Sequence, residues 1–249
     1  MKSSRRFALL FTIVVCGCAT AEEIQVAVAS NFKDPMRPII RNFEAKTNHK
    51  VILIIGSTGK LYAQIKNGAP FDIFFAADVE RPKLLEQEGL AAPGTRVTYA
   101  YGKLVLWSLN KHYSKPLEQF LQGGEFHYLA IANPKLAPYG QAARDVLDSM
   151  QLWERFRDRI VRGENIGQTF QFVKSGNAEL GFVAYSQIKS INREFEGAVW
   201  QVPNTLYTPI EQQAVLLKPN QAALALLRYV RSAEAVNIIH QFGYDTPDA

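Results

Sequence analysis

The residues best placed to do chemistry are two serines, Ser57 and Ser30, each set where an apolar run ends. Ser57 lies in Gly56-Ser57-Thr58-Gly59, directly after Val51 to Ile55, five apolar residues of which four are β-branched. Such a run fits a buried parallel strand, covered on both faces. Lys60 to Ile65, with apolar residues at 61, 62 and 65, fits a helix. A strand, a small polar turn and a helix bring a hydroxyl and backbone N–H groups to the helix start, which makes a site for an anion. Ser30-Asn31 ends the apolar run Ile24 to Ala29 in the same way. The alternative is ordinary turn chemistry, with Ser30 and Ser57 as helix caps and Asn31 as a turn residue.

Other chemistries find little support. Gly59-Lys60 suggests a phosphate-binding loop, but that motif needs glycine five places before Gly59 and Ser or Thr after Lys60. Here those positions hold Ile54 and Leu61, so Lys60 reads as a solvated helix residue. The four histidines, His49, His112, His127 and His240, are scattered. Neither HExxH nor G-x-S-x-G occurs, and an enzyme is not expected. Asp72 and Asp78 flank an apolar run, where capping or packing is the expected role.

The first residues address the chain rather than fold it. Lys2, Arg5 and Arg6 precede the apolar stretch Phe7 to Val15, followed by Cys16-Gly17-Cys18-Ala19-Thr20-Ala21. A basic, then apolar, then small-residue order is a secretory signal, too short to span a bilayer. Cleavage after Ala21 is the preferred reading, with a lipidated Cys18 as the alternative. Removing residues 1–21 lowers the formal net charge from +5 to +2 and takes both cysteines. The mature chain is expected to be soluble, to reside in the periplasm and to bind no nucleic acid, which would need a concentrated basic face.

What remains alternates strands and helices. Strands are expected at 24–29, 51–55, 71–77, within 99–107, and at 128–132, 180–185, 199–202 and 214–217. Helices are expected from Asp34 (cap) and Pro35, then over 60–65, 82–88, 115–121, 141–156, 168–174, 221–230 and 233–242. This is an α/β chain with parallel sheets, and in such folds ligands bind beyond the carboxyl ends of the strands. Length alone allows one large domain or two smaller ones. Two lobes with a cleft would set the Ser30 and Ser57 turns opposite those at Tyr139 and Ile166.

Several segments carry a resemblance. VAVASNF, IIGSTGKLYAQIKNGAPFDIFFAAD, GKLVLW, ANPKLAPYGQAARDVL, ENIGQTFQFVKSGNAELGFVAYSQI and SAEAVNIIHQFGY follow one another as they do in periplasmic molybdate-binding proteins of molybdate ABC importers. The likeness covers nearly the whole mature chain. It implies a two-lobed type II periplasmic binding protein, each lobe a mostly parallel sheet flanked by helices. The first lobe would be 22–102 plus 205–249, and the second 103–204. It implies a molybdate or tungstate oxyanion in the cleft, no cofactor, no catalysis and no directly bound metal. It also implies a monomer that delivers its cargo to a membrane permease.

Residue by residue, the resemblance makes Ser30 and Ser57 hydroxyl ligands and places Asn31 beside the first. Tyr139 and Ile166 would each offer a backbone N–H. Some family members add a tyrosine hydroxyl from G-x-V-Y. Here Ala184 holds that place and Tyr185 follows one residue later, on the opposite face if the strand continues, so Asn31 stands in for it. Such a shell of uncharged donors suits a dianion that only accepts hydrogen bonds. Rivals are a receptor of the same fold for sulfate or another anion, and a periplasmic sensor or adaptor.

Overall fold

The computed structural model describes residues 21–111, 115–191 and 197–247. The signal segment up to residue 20, Cys18 and His112 lie outside the described residues. In chain order the elements are β1 (Glu23–Ala29), α1 (Lys33–Thr47), β2 (Lys50–Gly56), α2 (Thr58–Lys66), β3 (Ile73–Phe75), α3 (Glu80–Gln87), β4 (Val97–Gly102) and β5 (Leu104–Ser108). There follow α4 (Leu117–Gly123), β6 (Leu129–Ala132), α5 (Pro138–Ser149), α6 (Trp153–Phe156), β7 (Ile160–Gly163), α7 (Ile166–Lys174), β8 (Leu180–Ala184) and α8 (Tyr185–Ser190). The chain ends with β9 (Ala198–Gln201), β10 (Ile210–Leu216), α9 (Gln221–Tyr229) and α10 (Ala233–Gln241). Among the described residues no helix is long and apolar enough to cross a membrane.

The strands form two five-stranded sheets, ordered β2-β1-β3-β10-β4 and β7-β6-β8-β5-β9. In the first, β1 pairs in parallel with β2 and β3, while β10 runs antiparallel to β3 and β4. In the second, β6 pairs in parallel with β7 and β8, while β5 runs antiparallel to β8 and β9. Each sheet is therefore mostly parallel with one reversed strand, and helices flank both. Those reversed strands are the ones that carry the chain between sheets: β4 passes into β5, and β9 returns to β10.

The core divides accordingly. Val26, Val28, Phe32, Ile39, Phe43 and Phe75 are buried around the first sheet. Leu106, Ile131, Val146, Phe156 and Phe182 are buried around the second. The latter cluster also takes in Ala29 and Ala77 from the first sheet's strand ends, so apolar packing continues across the join.

Several sequence expectations need correction. The Val51 to Ile55 run is not covered on both faces: β2 is an edge strand, and Ile52 and Ile55 are 43% and 42% exposed. Its β-branched residues suit a strand in either position, and only the neighbouring chain decides which. The helix expected from Asp34 starts earlier, because Ser30–Phe32 already forms a 3-10 turn running into α1. Asp34 and Pro35 therefore lie inside its first turn. The expected helix 141–156 is two helices. α5 stops at Ser149, Gln151 takes φ of 59°, and α6 follows. Strand β7 and helix α8 were not anticipated.

Candidate functional site

Four helix starts converge on one cavity. On the first sheet's side, β1 ends at Ala29 and the chain turns at Ser30 into the 3-10 turn, while β2 ends at Gly56 and α2 begins after Ser57. On the second side, α5 begins at Pro138 after Ala137, and α7 begins at Ile166 after Asn165. Pro138 suits a first helical position because it has no N–H to leave unpaired. Ser30, Asn31, Ser57, Tyr139 and Ile166 all line the cavity, together with Thr58. The structure thus brings together all five residues singled out from sequence. A larger groove, about 620 Å³, beside Thr98, Arg231 and His240 shares none of them.

The donors are set up by local hydrogen bonding. Ser57 caps α2, its Oγ accepting from the Lys60 N–H at 3.4 Å. The Ser30 Oγ accepts from the Gly167 N–H at 3.4 Å, across the join between the sheets. A hydroxyl that accepts through a lone pair keeps its own proton to give, so both serines can donate into the cavity. Asn165 caps α7 by accepting from the Gln168 N–H at 3.0 Å. The N–H groups in the first turn of a helix have no intrahelical partner, which leaves those of Asn31, Tyr139 and Ile166 as candidate donors. Among the described residues no charged side chain lines the cavity.

The Asn31 side chain does other work. Its Nδ2 donates to Gln212 Oε1 at 2.7 Å and to the Tyr244 hydroxyl at 3.0 Å, so both amide protons are taken. Asn31 therefore does not stand in for a tyrosine hydroxyl through its side chain, and its backbone is what it can present. The Tyr139 side chain is committed elsewhere too. It is 1% exposed, and its hydroxyl reaches Gly102, where any Cβ would collide with it. Burial pushes the Tyr139 phenol well above the usual tyrosine range, and nearby Tyr244 adds to the effect. Tyr185 is the first residue of α8; its ring packs on Gly243 and does not line the cavity.

Further bonds hold the two sides together. The Gly59 N–H donates to the Leu136 carbonyl at 2.8 Å, and a Cβ on Gly59 would come within 3.0 Å of that oxygen. Glycine suits that position because two backbones approach closely, and a side chain there would press on Leu136. Lys60 Nζ meets Glu164 Oε2 at 2.6 Å, so Lys60 is solvent-exposed but paired across the rim. Asp72 accepts from the Gln25 N–H, and Asp78 pairs with Arg81, both structural roles. Burial raises the Asp78 carboxyl above its ordinary value despite Arg81. Thr58, Ser186, Gln212 and Tyr244 were missed from sequence, since nothing in their local spacing distinguishes them.

The geometry has counterparts. A family model described as bacterial extracellular solute-binding protein matches residues 24–245. The molybdate-binding protein ModA of Azotobacter vinelandii is 47% identical over 97% of this chain and 97% of its own length. ModA of Rhodobacter capsulatus is 44% identical over 92% of this chain and 90% of its own. The solved structure of the Azotobacter vinelandii periplasmic molybdate-binding protein superposes with a TM-score of 0.86 and 39% identity, covering 90% of this chain and all of that one. The chain belongs to the bacterial extracellular solute-binding protein family and has its two-lobed form.

Proposed function

We propose that this protein captures molybdate in the periplasm and delivers it to the permease of an ABC importer. The observation carrying the reading is the uncharged cavity, where two serine hydroxyls from one side face two helix starts from the other. A tetrahedral dianion has only acceptor atoms, and helix starts offer donors together with positive dipole ends. Each hydrogen bond to a charged partner contributes about 1.5–3 kcal/mol. A shell of five or more supports affinity in the micromolar range or tighter after association costs. The names of the relatives supply the choice of molybdate among such ions, and tungstate, alike in charge and shape, is the expected second ligand.

Asn31, Ser57, Tyr139 and Ile166 are all buried where the two sides meet, so the facing ends have to part to admit an ion. We assign residues 22–102 and 205–249 to one lobe and 103–204 to the other, with that movement taken up at the two crossings between sheets. Ser30, Asn31, Ser57, Tyr139 and Ile166 form the ligand shell, the first and third through hydroxyls and the rest through backbone N–H. The protein acts as a monomer, without catalysis or cofactor, after removal of its N-terminal signal.

Calorimetric titration with molybdate, tungstate and sulfate tests this. Molybdate and tungstate are expected to bind tightly and, at a hundredfold excess over Kd, to stabilise the fold by about 2.7 kcal/mol. Sulfate is expected to bind far more weakly. Equal affinity for sulfate would replace the reading with a broader oxyanion receptor, and no binding by any of the three would favour an adaptor.

A further inference from the structure

Against Asn31, outside the cavity lining, lies a buried cluster of neutral polar groups that no proposed ligand contact uses. Tyr244 near the C-terminus donates its hydroxyl to the Asn31 carbonyl at 2.9 Å. Ser186, at the start of α8 on the second lobe, donates to the same carbonyl at 3.1 Å. The two hydroxyls lie 2.9 Å apart. Gln212 on β10 receives the Asn31 amide and the Tyr99 hydroxyl on its Oε1, while its Nε2 approaches the Tyr139 hydroxyl at 3.5 Å. Asn31, Ser186, Gln212 and Tyr244 are all buried. Ser186, Gln212 and Tyr244 do not line the cavity.

Asn31 is thus held by four hydrogen bonds to three side chains, one of which comes from the opposite lobe. Molybdate and sulfate share charge and shape, so a neutral donor shell can separate them only by size. Size discrimination requires the donors to stay where they are when a smaller ion is offered. We propose that Tyr244 and Ser186 are the specificity-determining positioning residues of this site, fixing the Asn31 main chain and with it the spacing between lobes. The inference rests on the oxyanion-receptor reading above. With either hydroxyl removed, the Asn31 end of the cavity can adjust to the smaller ion, and the preference narrows.

The test measures molybdate and sulfate affinities of the full mature chain, wild type, Tyr244→Phe and Ser186→Ala, alongside unliganded melting temperatures. The expected result is a molybdate-to-sulfate affinity ratio at least tenfold lower in each variant. A purely structural role would lower the melting temperature and leave that ratio unchanged. Ser186→Ala carries the test by itself if Tyr244→Phe does not fold. A wild type that discriminates, with variants that discriminate equally, overturns this inference and leaves the receptor reading intact. A wild type that binds neither ion, or both equally, overturns both.

Discussion

The two lobes build the same sheet from different stretches of chain, yet supply the site differently. In both, the strand at the second position and the strand at the adjoining edge lead to the helix starts that face the cavity: β1 and β2 in one, β6 and β7 in the other. In the first lobe the turns are immediate, Ala29 to Ser30 and Gly56 to Ser57, and they carry hydroxyl side chains. In the second the connections are longer, and the residues at the cavity are Tyr139 and Ile166. Their side chains are buried in the core and leave the backbone to face inward. In the proposed shell one lobe offers side chains that mutation can remove, together with the Asn31 main chain; the other offers main chain alone, which ordinary substitution leaves in place.

That contrast can be broken most severely at Ile166. Ile166→Pro removes the N–H from a first helical position, where proline is accepted. The expected loss is about 1.5–3 kcal/mol of molybdate binding, with α7 retained by circular dichroism. Ile166→Val, which keeps the N–H, should bind within a few-fold of wild type. Normal binding by the proline variant would remove this backbone donor from the shell. Next come Ser57→Ala and Ser30→Ala, each expected to weaken binding about tenfold, near 1.4 kcal/mol. Ser57→Ala should also cost about 1 kcal/mol of stability as a lost cap. Undiminished affinity in both would end the hydroxyl role.

Smaller effects sharpen the comparison. Tyr139→Phe should bind almost normally, because its phenol points to Gly102 and Gln212 rather than into the cavity; a tenfold loss by calorimetry would contradict this. Lys60→Ala removes an exposed rim pair worth about 0.2–1 kcal/mol, and its effect should fade at high salt. An effect on stability rather than on binding concerns alkali. Burial raises the Tyr99 and Tyr139 phenols and takes Tyr244 to about 12. A phenol whose folded pKa is raised stabilises the fold fully below its unfolded value near 10 and loses that contribution as pH climbs toward 12. Melting temperature should therefore fall over that window, less steeply for Tyr244→Phe.

How much could be read beforehand follows the same division. Ser30 and Ser57 were legible because a hydroxyl after an apolar run is a pattern of residue types. Tyr139 and Ile166 came from family likeness, since a main-chain donor has no residue type of its own. The cluster against Asn31 was invisible: Ser186 and Tyr244 lie 155 and 213 residues away from it, and only the finished fold brings them together. Strand existence was mostly clear, but the edge position of β2 was not, because burial depends on neighbours outside the run. The break after Ser149 escaped notice because no glycine or proline marks it; Gln151 itself takes the left-handed turn.

The placement of β10 has a consequence for how the chain matures. The strands of the second sheet occupy one unbroken stretch, from Leu104 to Gln201. The first sheet cannot be completed in that way, for among the described residues β4 pairs with no strand except β10, which begins at Ile210. A polypeptide emerging N-terminus first therefore has to hold its opening half unfinished while the middle folds. The last forty residues then arrive as the keystone, and a chain cut short before them would leave one lobe assembled beside an open sheet.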